Sequence, residues 1–133
     1  MRQPGTMSVR CLIVDDNRDF LRAASDLLER TGITVVGVAS TGAQAGRACG
    51  ELQPDVVLLD VDLGEESGFE VARQLAGLAG PDQPRVILIS AYAAEDFGDM
   101  MADTPAVSFL PKGTLSGQAV LAIVRGGPPA ARA

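Results

Sequence analysis

Histidine is absent from the 133 residues. That excludes histidine acid–base chemistry and zinc sites of the His–Cys type within this chain. Cysteine is scarce. Cys11 in an apolar run and Cys49 in a helix-like one fit no metal-ligand or redox spacing, and both read as buried thiols of a reducing compartment. No apolar run approaches the ~18 residues of a bilayer span, and Met1 to Arg10 lacks the apolar centre of a secretory signal. Positive charge is also short, with eleven basic residues against seventeen acidic ones, a net charge of -6 and a pI near 4.5. That balance argues against a non-specific nucleic-acid surface and against attraction to anionic membranes. The expected location is cytoplasmic, with no direct nucleic-acid binding and no membrane. Lysine is reduced to one residue, Lys112.

What is present describes one compact domain: 47% hydrophobic residues with 21% charged, in a chain too short for two ordinary domains. The centre is Pro54 to Gly68, PDVVLLDVDLGEESG. Val56 to Leu59 are uninterrupted apolar residues, the pattern of a strand covered on both faces, and the run stops at Asp60. Similar runs occur at Val9 to Val14, Ile33 to Ala39, Arg85 to Ser90 and Val107 to Leu110. Between and after them lie helix-like segments at Arg18 to Thr31, from Ser40 and Thr41 to Leu52, Ser67 to Ala79, Ala93 to Thr104, and Leu115 to Arg125. Asn17 is the expected cap of the first, and Gly80-Pro81 the stop of the third. Residues 1–7 read as a flexible N-terminal arm, 8–126 as the domain, and 127–133 as a tail or the start of a linker.

Five strands alternating with five helices predict an α/β fold with a doubly wound, five-stranded parallel sheet, because parallel strands require crossovers. A flavodoxin-like order 2-1-3-4-5 is expected, since its switch point brings the ends of strands one and three together. In that order Asp15 and Asp16, Asp60, Ser90 and Lys112 all fall at the carboxyl edge of the sheet. Clustered carboxylates repel by ~4 kcal/mol per pair at about 4 Å in an effective dielectric of ~20, so the cluster calls for a cation. Oxygen-only donors favour Mg²⁺, Mn²⁺ or Ca²⁺, and a site with few protein ligands that shares a phosphate favours Mg²⁺. A carboxylate nucleophile, a divalent ion, an ammonium and a hydroxyl together make a phosphoryl-transfer site.

The same segments resemble the receiver domains of two-component response regulators. The matching pieces are LIVDDN (Leu12 to Asn17), PDVVLLDVDLGEESGFEV (Pro54 to Val71), LIS-A (Leu88 to Ala91) and FLPKG (Phe109 to Gly113). Asp16 to Asp60 is 44 positions, Asp60 to Ser90 is 30 and Ser90 to Lys112 is 22, separations similar to the family's. The resemblance implies that Asp60 accepts phosphate from the phosphohistidine of a sensor histidine kinase. It implies that Asp16 binds Mg²⁺ directly, Asp15 mainly through water, and Asp62 through its backbone carbonyl. Ser90 and Lys112 would contact the phosphoryl group, and Phe109 stands at the family's aromatic switch position, next to a face made by helix four, strand five and helix five. An effector domain or a downstream protein would read that face.

Two departures stand out: Gly64 where a proline is common, and Gly113 where many members place a proline after the lysine. Four acids and no base between Ala91 and Leu110 speak against the charge-paired symmetric dimer that some members form. Two competing readings exist. Asp60-Val61-Asp62 resembles the nucleophile motif of haloacid-dehalogenase-like phosphatases, but those enzymes usually carry it on their first strand and need acids after the lysine. No Asp or Glu follows Asp103. The other is a phosphorylation-independent pseudo-receiver, although none of Asp15, Asp16, Asp60, Ser90 and Lys112 is missing.

Overall fold

The computed structural model describes residues 8–79 and 84–126. The expected arm at 1–7, the Gly80-Pro81 stop and the tail at 127–133 lie outside those residues. Five strands, β1 (Arg10–Val14), β2 (Thr34–Ala39), β3 (Val56–Asp60), β4 (Arg85–Ser90) and β5 (Ser108–Pro111), form one sheet in the order β2-β1-β3-β4-β5. Every pairing in it is parallel. The crossovers are α1 (Arg18–Arg30), α2 (Gly42–Leu52), α3 (Gly68–Ala79) and α4 (Asp99–Asp103), and α5 (Gly117–Gly126) follows the last strand. This is the anticipated doubly wound order. Among the described residues no helix is long and apolar enough to cross a membrane.

The apolar runs become central strands because both of their faces are covered. Alternate residues point to opposite sides of a strand, so Leu12, Val14, Val57, Leu59, Val86 and Leu88 join Ala45 of α2 and Phe69, Ala72 and Leu75 of α3 in one buried layer. Cys11, Ile13, Val56, Leu58, Ile87 and Ile89 pack on the other side with Ala24 and Leu28 of α1 and Val120 and Ile123 of α5. All five residues of β3 are buried, Asp60 included.

Local chemistry sets the helix starts. Asn17 Oδ1 accepts from Phe20 N at 3.1 Å, and Thr41 Oγ1 accepts from Gln44 N at 3.1 Å, each meeting a donor that has no partner within its own helix. α1 gives way at Thr31 and Gly32, the latter at φ +93°, a conformation glycine adopts at little cost. Between β3 and α3 the chain makes a small antiparallel ladder, Asp62–Leu63 with Glu66–Ser67.

The segment after β4 departs from the continuous Ala93 to Thr104 helix. It forms a 3-10 turn over Ala94–Phe97 and a separate five-residue α4, divided at Gly98. Gly98 sits at φ +55°, outside the helical region, and its N-cap position has no side-chain hydrogen bond to restart the helix. Phe97 and Met101 still pack on the core, whereas Met100 is exposed. β5 runs one residue later than expected. α5 starts at Gly117 rather than Leu115, because Lys112–Thr114 forms a 3-10 turn that Leu115 closes.

Candidate functional site

Strand register assembles the site. β1 and β3 pair up to Val14 with Leu59, so the next residues, Asp15 and Asp60, come side by side at the carboxyl edge. Asp60 is in turn opposite Ile89 on β4, and Ser90 pairs with Pro111 on β5, immediately before Lys112. Four neighbouring strands therefore deliver their chemistry to one carboxyl edge, the ligand position of open α/β sheets.

Asp15 is fully buried, and its backbone N donates to Ala39 O at 2.9 Å, which holds it in line with the strand. Its Oδ1 accepts from Asn17 N at 2.9 Å. Oδ2 lies 2.7 Å from Lys112 Nζ, an ion pair that lacks hydrogen-bond geometry and leaves this buried oxygen without a hydrogen bond. Asp60, 5% exposed, accepts from Asp62 N on Oδ1 at 3.1 Å and from Lys112 Nζ on Oδ2 at 3.3 Å. Asp16 is exposed, and one carboxylate oxygen from each of Asp15, Asp16 and Asp60 falls within 4.8 Å of the others. Gly64, at φ +77°, passes so close to Asp16 that a Cβ there would lie 3.1 Å from its Oδ2.

Burial pushes the Asp60 carboxyl up to about 6 from its ordinary 3.8, and the neighbouring Asp15 charge adds to the rise. The Asp62 backbone donor and the Lys112 ammonium oppose it. Burial by itself would lower the Lys112 pKa, but Asp15 and Asp60 together outweigh it and the pKa is raised, so the ammonium stays charged. Lysine 112 thus neutralises part of a three-carboxylate cluster and not all of it. Three carboxylates on two strand ends, all-oxygen, with a buried oxygen lacking a hydrogen bond, fit a small hard divalent cation such as Mg²⁺.

Of the residues named from sequence, the structure brings Asp15, Asp16, Asp60 and Lys112 together. Ser90 is 2% exposed at the adjacent strand end, where its Oγ accepts from Tyr92 N at 2.9 Å and not from the Asp60 side. Asp62 does not belong to the three-acid group; its exposed side chain accepts from Gly64 N on Oδ1 at 3.2 Å. Phe109 is half-buried and joins a short aromatic series, with Phe97 6.0 Å from it and Phe69 5.6 Å beyond.

Three contributors escaped the sequence reading. Gly68 lies against the back of Asp60: a Cβ there would collide with the Asp60 carbonyl oxygen, and Gly68 N donates to Val61 O at 2.6 Å. Glu66 Oε1 accepts from Gly42 N at 2.8 Å and ties the loop after β3 to the start of α2. Phe20 presents its ring to Lys112, with Nζ 4.4 Å from the centroid. The capping pattern around Asn17 is the one signal that bears on Phe20. The glutamate contact spans 24 positions and has no local signature.

A family model described as the response regulator receiver domain matches residues 11–124. The chain belongs to the response regulator receiver domain family. It is 31% identical over 117 residues to the response regulator GacA of Pseudomonas viridiflava, a match covering 86% of this chain and 53% of that protein. It is 45% identical over 80 residues to the transcriptional regulatory protein KdpE of Mycobacterium tuberculosis, covering 60% of this chain and 34% of that one. Among solved structures, the signal receiver domain of the response regulator NarL from M. tuberculosis shares 30% identity at a TM-score of 0.77, over 90% of this chain and 98% of that one. A receiver domain from Methylobacillus flagellatus, described as CheY-like, has a TM-score of 0.76 at 21% identity, over 90% and 98% of the two chains, and bears on the fold alone. This receiver domain spans 53% and 34% of the lengths of GacA and KdpE.

Proposed function

We propose that this receiver domain, over residues 8–126, accepts a phosphoryl group on Asp60 from the phosphohistidine of a sensor histidine kinase, in the cytoplasm. The observation that carries the reading is the meeting of Asp15, Asp16 and Asp60 carboxylates within 4.8 Å, with the Lys112 ammonium on two of them. An Asp60 oxygen attacks phosphorus in line with the phosphorus–nitrogen bond. That bond breaks, the imidazole leaves with the electron pair, and an aspartyl phosphate remains. Lys112, already 3.3 Å from Asp60 Oδ2, keeps its charge beside the oxygens that gain negative charge. Ser90 Oγ accepts from Tyr92 N, so its own O–H is free to donate to the phosphoryl group.

Asp15, Asp16, Asp60 and the Asp62 carbonyl would hold Mg²⁺. Bound there, the ion offsets repulsion between the carboxylates and the incoming phosphoryl group. Phosphorylation adds nearly two negative charges at the end of β3. Ser90 and Phe109 then carry the change to the face made by α4, β5 and α5, which an effector domain or downstream protein reads.

Incubation with phosphoramidate or acetyl phosphate and Mg²⁺, followed by intact mass, tests the reading. One phosphoryl group gained by the native chain and lost in Asp60→Asn is the expected result. No gain from any donor would point to a pseudo-receiver instead, and steady turnover of unrelated phosphate esters to a phosphatase.

A further inference from the structure

Phe20 and Asp15 are aimed by the same turn. Asn17 N donates to Asp15 Oδ1 at 2.9 Å, and Asn17 Oδ1 accepts from Phe20 N at 3.1 Å, so one residue fixes both the buried carboxylate and the first turn of α1. The half-buried Phe20 ring packs along the layer beneath α1 and α5 while its face meets Lys112 Nζ, 4.4 Å from the centroid. The ammonium therefore has three partners: Asp15 at 2.7 Å, Asp60 at 3.3 Å and the ring.

We propose that the Phe20 ring is the positioning residue for Lys112, holding its ammonium over the Asp15–Asp60 pair by cation–π attraction so that it can pivot toward a phosphoryl group on Asp60. This rests on the phosphoacceptor reading above. The physical basis is the difference between the three partners. A carboxylate captures an N–H in one direction, whereas a ring quadrupole attracts the whole cation and leaves its N–H bonds free. An ammonium leaning on the ring can exchange Asp15 for a phosphoryl oxygen without losing its third partner. The need for such a support is local: the lysine stem is flexible, Lys112 keeps 20% of its side chain in solvent, and Gly113 follows it in a single 3-10 turn. Without the ring, solvent competes for the ammonium.

Isosteric mono-, di- and trifluorophenylalanine at position 20 weaken the ring's negative face in steps while preserving shape and hydrophobicity, and Phe20→Leu removes it. The initial rate of phosphorylation by phosphoramidate with Mg²⁺ should fall stepwise along the series. From phenylalanine to the trifluoro form the loss should be roughly three- to tenfold, the range supported by cation–π attraction of a partly desolvated ammonium. Because Lys112 is the sole lysine, ¹³Cε-lysine labelling gives one methylene signal. It should be shifted upfield by the ring in the native chain and return toward its free position in Phe20→Leu. A flat rate series together with an unshifted signal, in a chain that still gains a phosphoryl group lost in Asp60→Asn, overturns the role of Phe20 and leaves the phosphoacceptor reading intact. Absence of phosphorylation by every donor overturns both.

Discussion

Lys112 Nζ stands 2.7 Å from Asp15 Oδ2, closer than it stands to the proposed phosphoacceptor. The lysine is thus the internal cation of the cluster, and its removal leaves two buried acids facing each other. Lys112→Gln should lower stability at pH 7 by about 2–3 kcal/mol. That is less than the ~3–5 kcal/mol of a wholly buried pair, because a fifth of the lysine side chain is in water. Urea unfolding measures it, and millimolar Mg²⁺ should restore most of the loss by replacing the missing charge.

The raised Asp60 pKa gives a second prediction. The folded state binds the Asp60 proton more tightly than the unfolded chain, about 6 against 3.8. Its favourable contribution is therefore complete below pH ~4 and is lost as pH rises through ~6. In metal-free buffer above that window the ionised carboxylate costs the fold about 1–3 kcal/mol. Asp60→Asn should consequently be more stable than the native chain at pH 7.5 by that amount and nearly equal to it at pH 4. Parallel denaturant titrations at the two pH values check both halves.

Gly68 has no room for a side chain, since a Cβ would strike the Asp60 carbonyl oxygen and Val61 Cα. Gly68→Ala must push the start of α3 away from the end of β3, at an overpacking cost of roughly 1–3 kcal/mol. It should also weaken Mg²⁺ binding, because the backbone that the new methyl presses on is that of Asp60. Gly77→Ala, with open space around its Cβ position, serves as the helix control and should cost little or stabilise.

Most of the sheet was legible in the chain because β3 and β4 carry unbroken apolar runs, Val56 to Leu59 and Val86 to Ile89, and such runs admit few other folds once helices separate them. Asp15 and Asp60 were legible for a related reason, since each carboxylate breaks a buried apolar run, and Lys112 because it is the sole lysine and directly follows a strand end. α4 was less so. Its apolar stripe at Phe97, Met100 and Met101 reads as helical, but Gly98 at φ +55° divides it, and the second half has no side-chain N-cap hydrogen bond. The Phe20 ring carried no signal distinguishing a core contact from one with the lysine, since helical spacing places it on the apolar face either way. Glu66 and Gly68 act through contacts across loops, which periodicity does not record.

Three carboxylate oxygens within 4.8 Å should make the fold metal-responsive. Adding Mg²⁺ at a hundred times its dissociation constant should stabilise the native chain by about 2.7 kcal/mol, seen as a higher Tm that a chelator reverses. At the same Mg²⁺ concentration the shift should be much smaller in Asp16→Asn, which removes an exposed ligand candidate and leaves the buried pair untouched.

The central claim is that phosphate goes to Asp60 and nowhere else. Borohydride reduces an aspartyl phosphate to homoserine, so reducing the phosphorylated chain and sequencing its peptides by mass spectrometry marks the acceptor. Homoserine at position 60, formed only with donor and Mg²⁺, is the predicted result. Homoserine at another aspartate, or at none after every donor, contradicts the account.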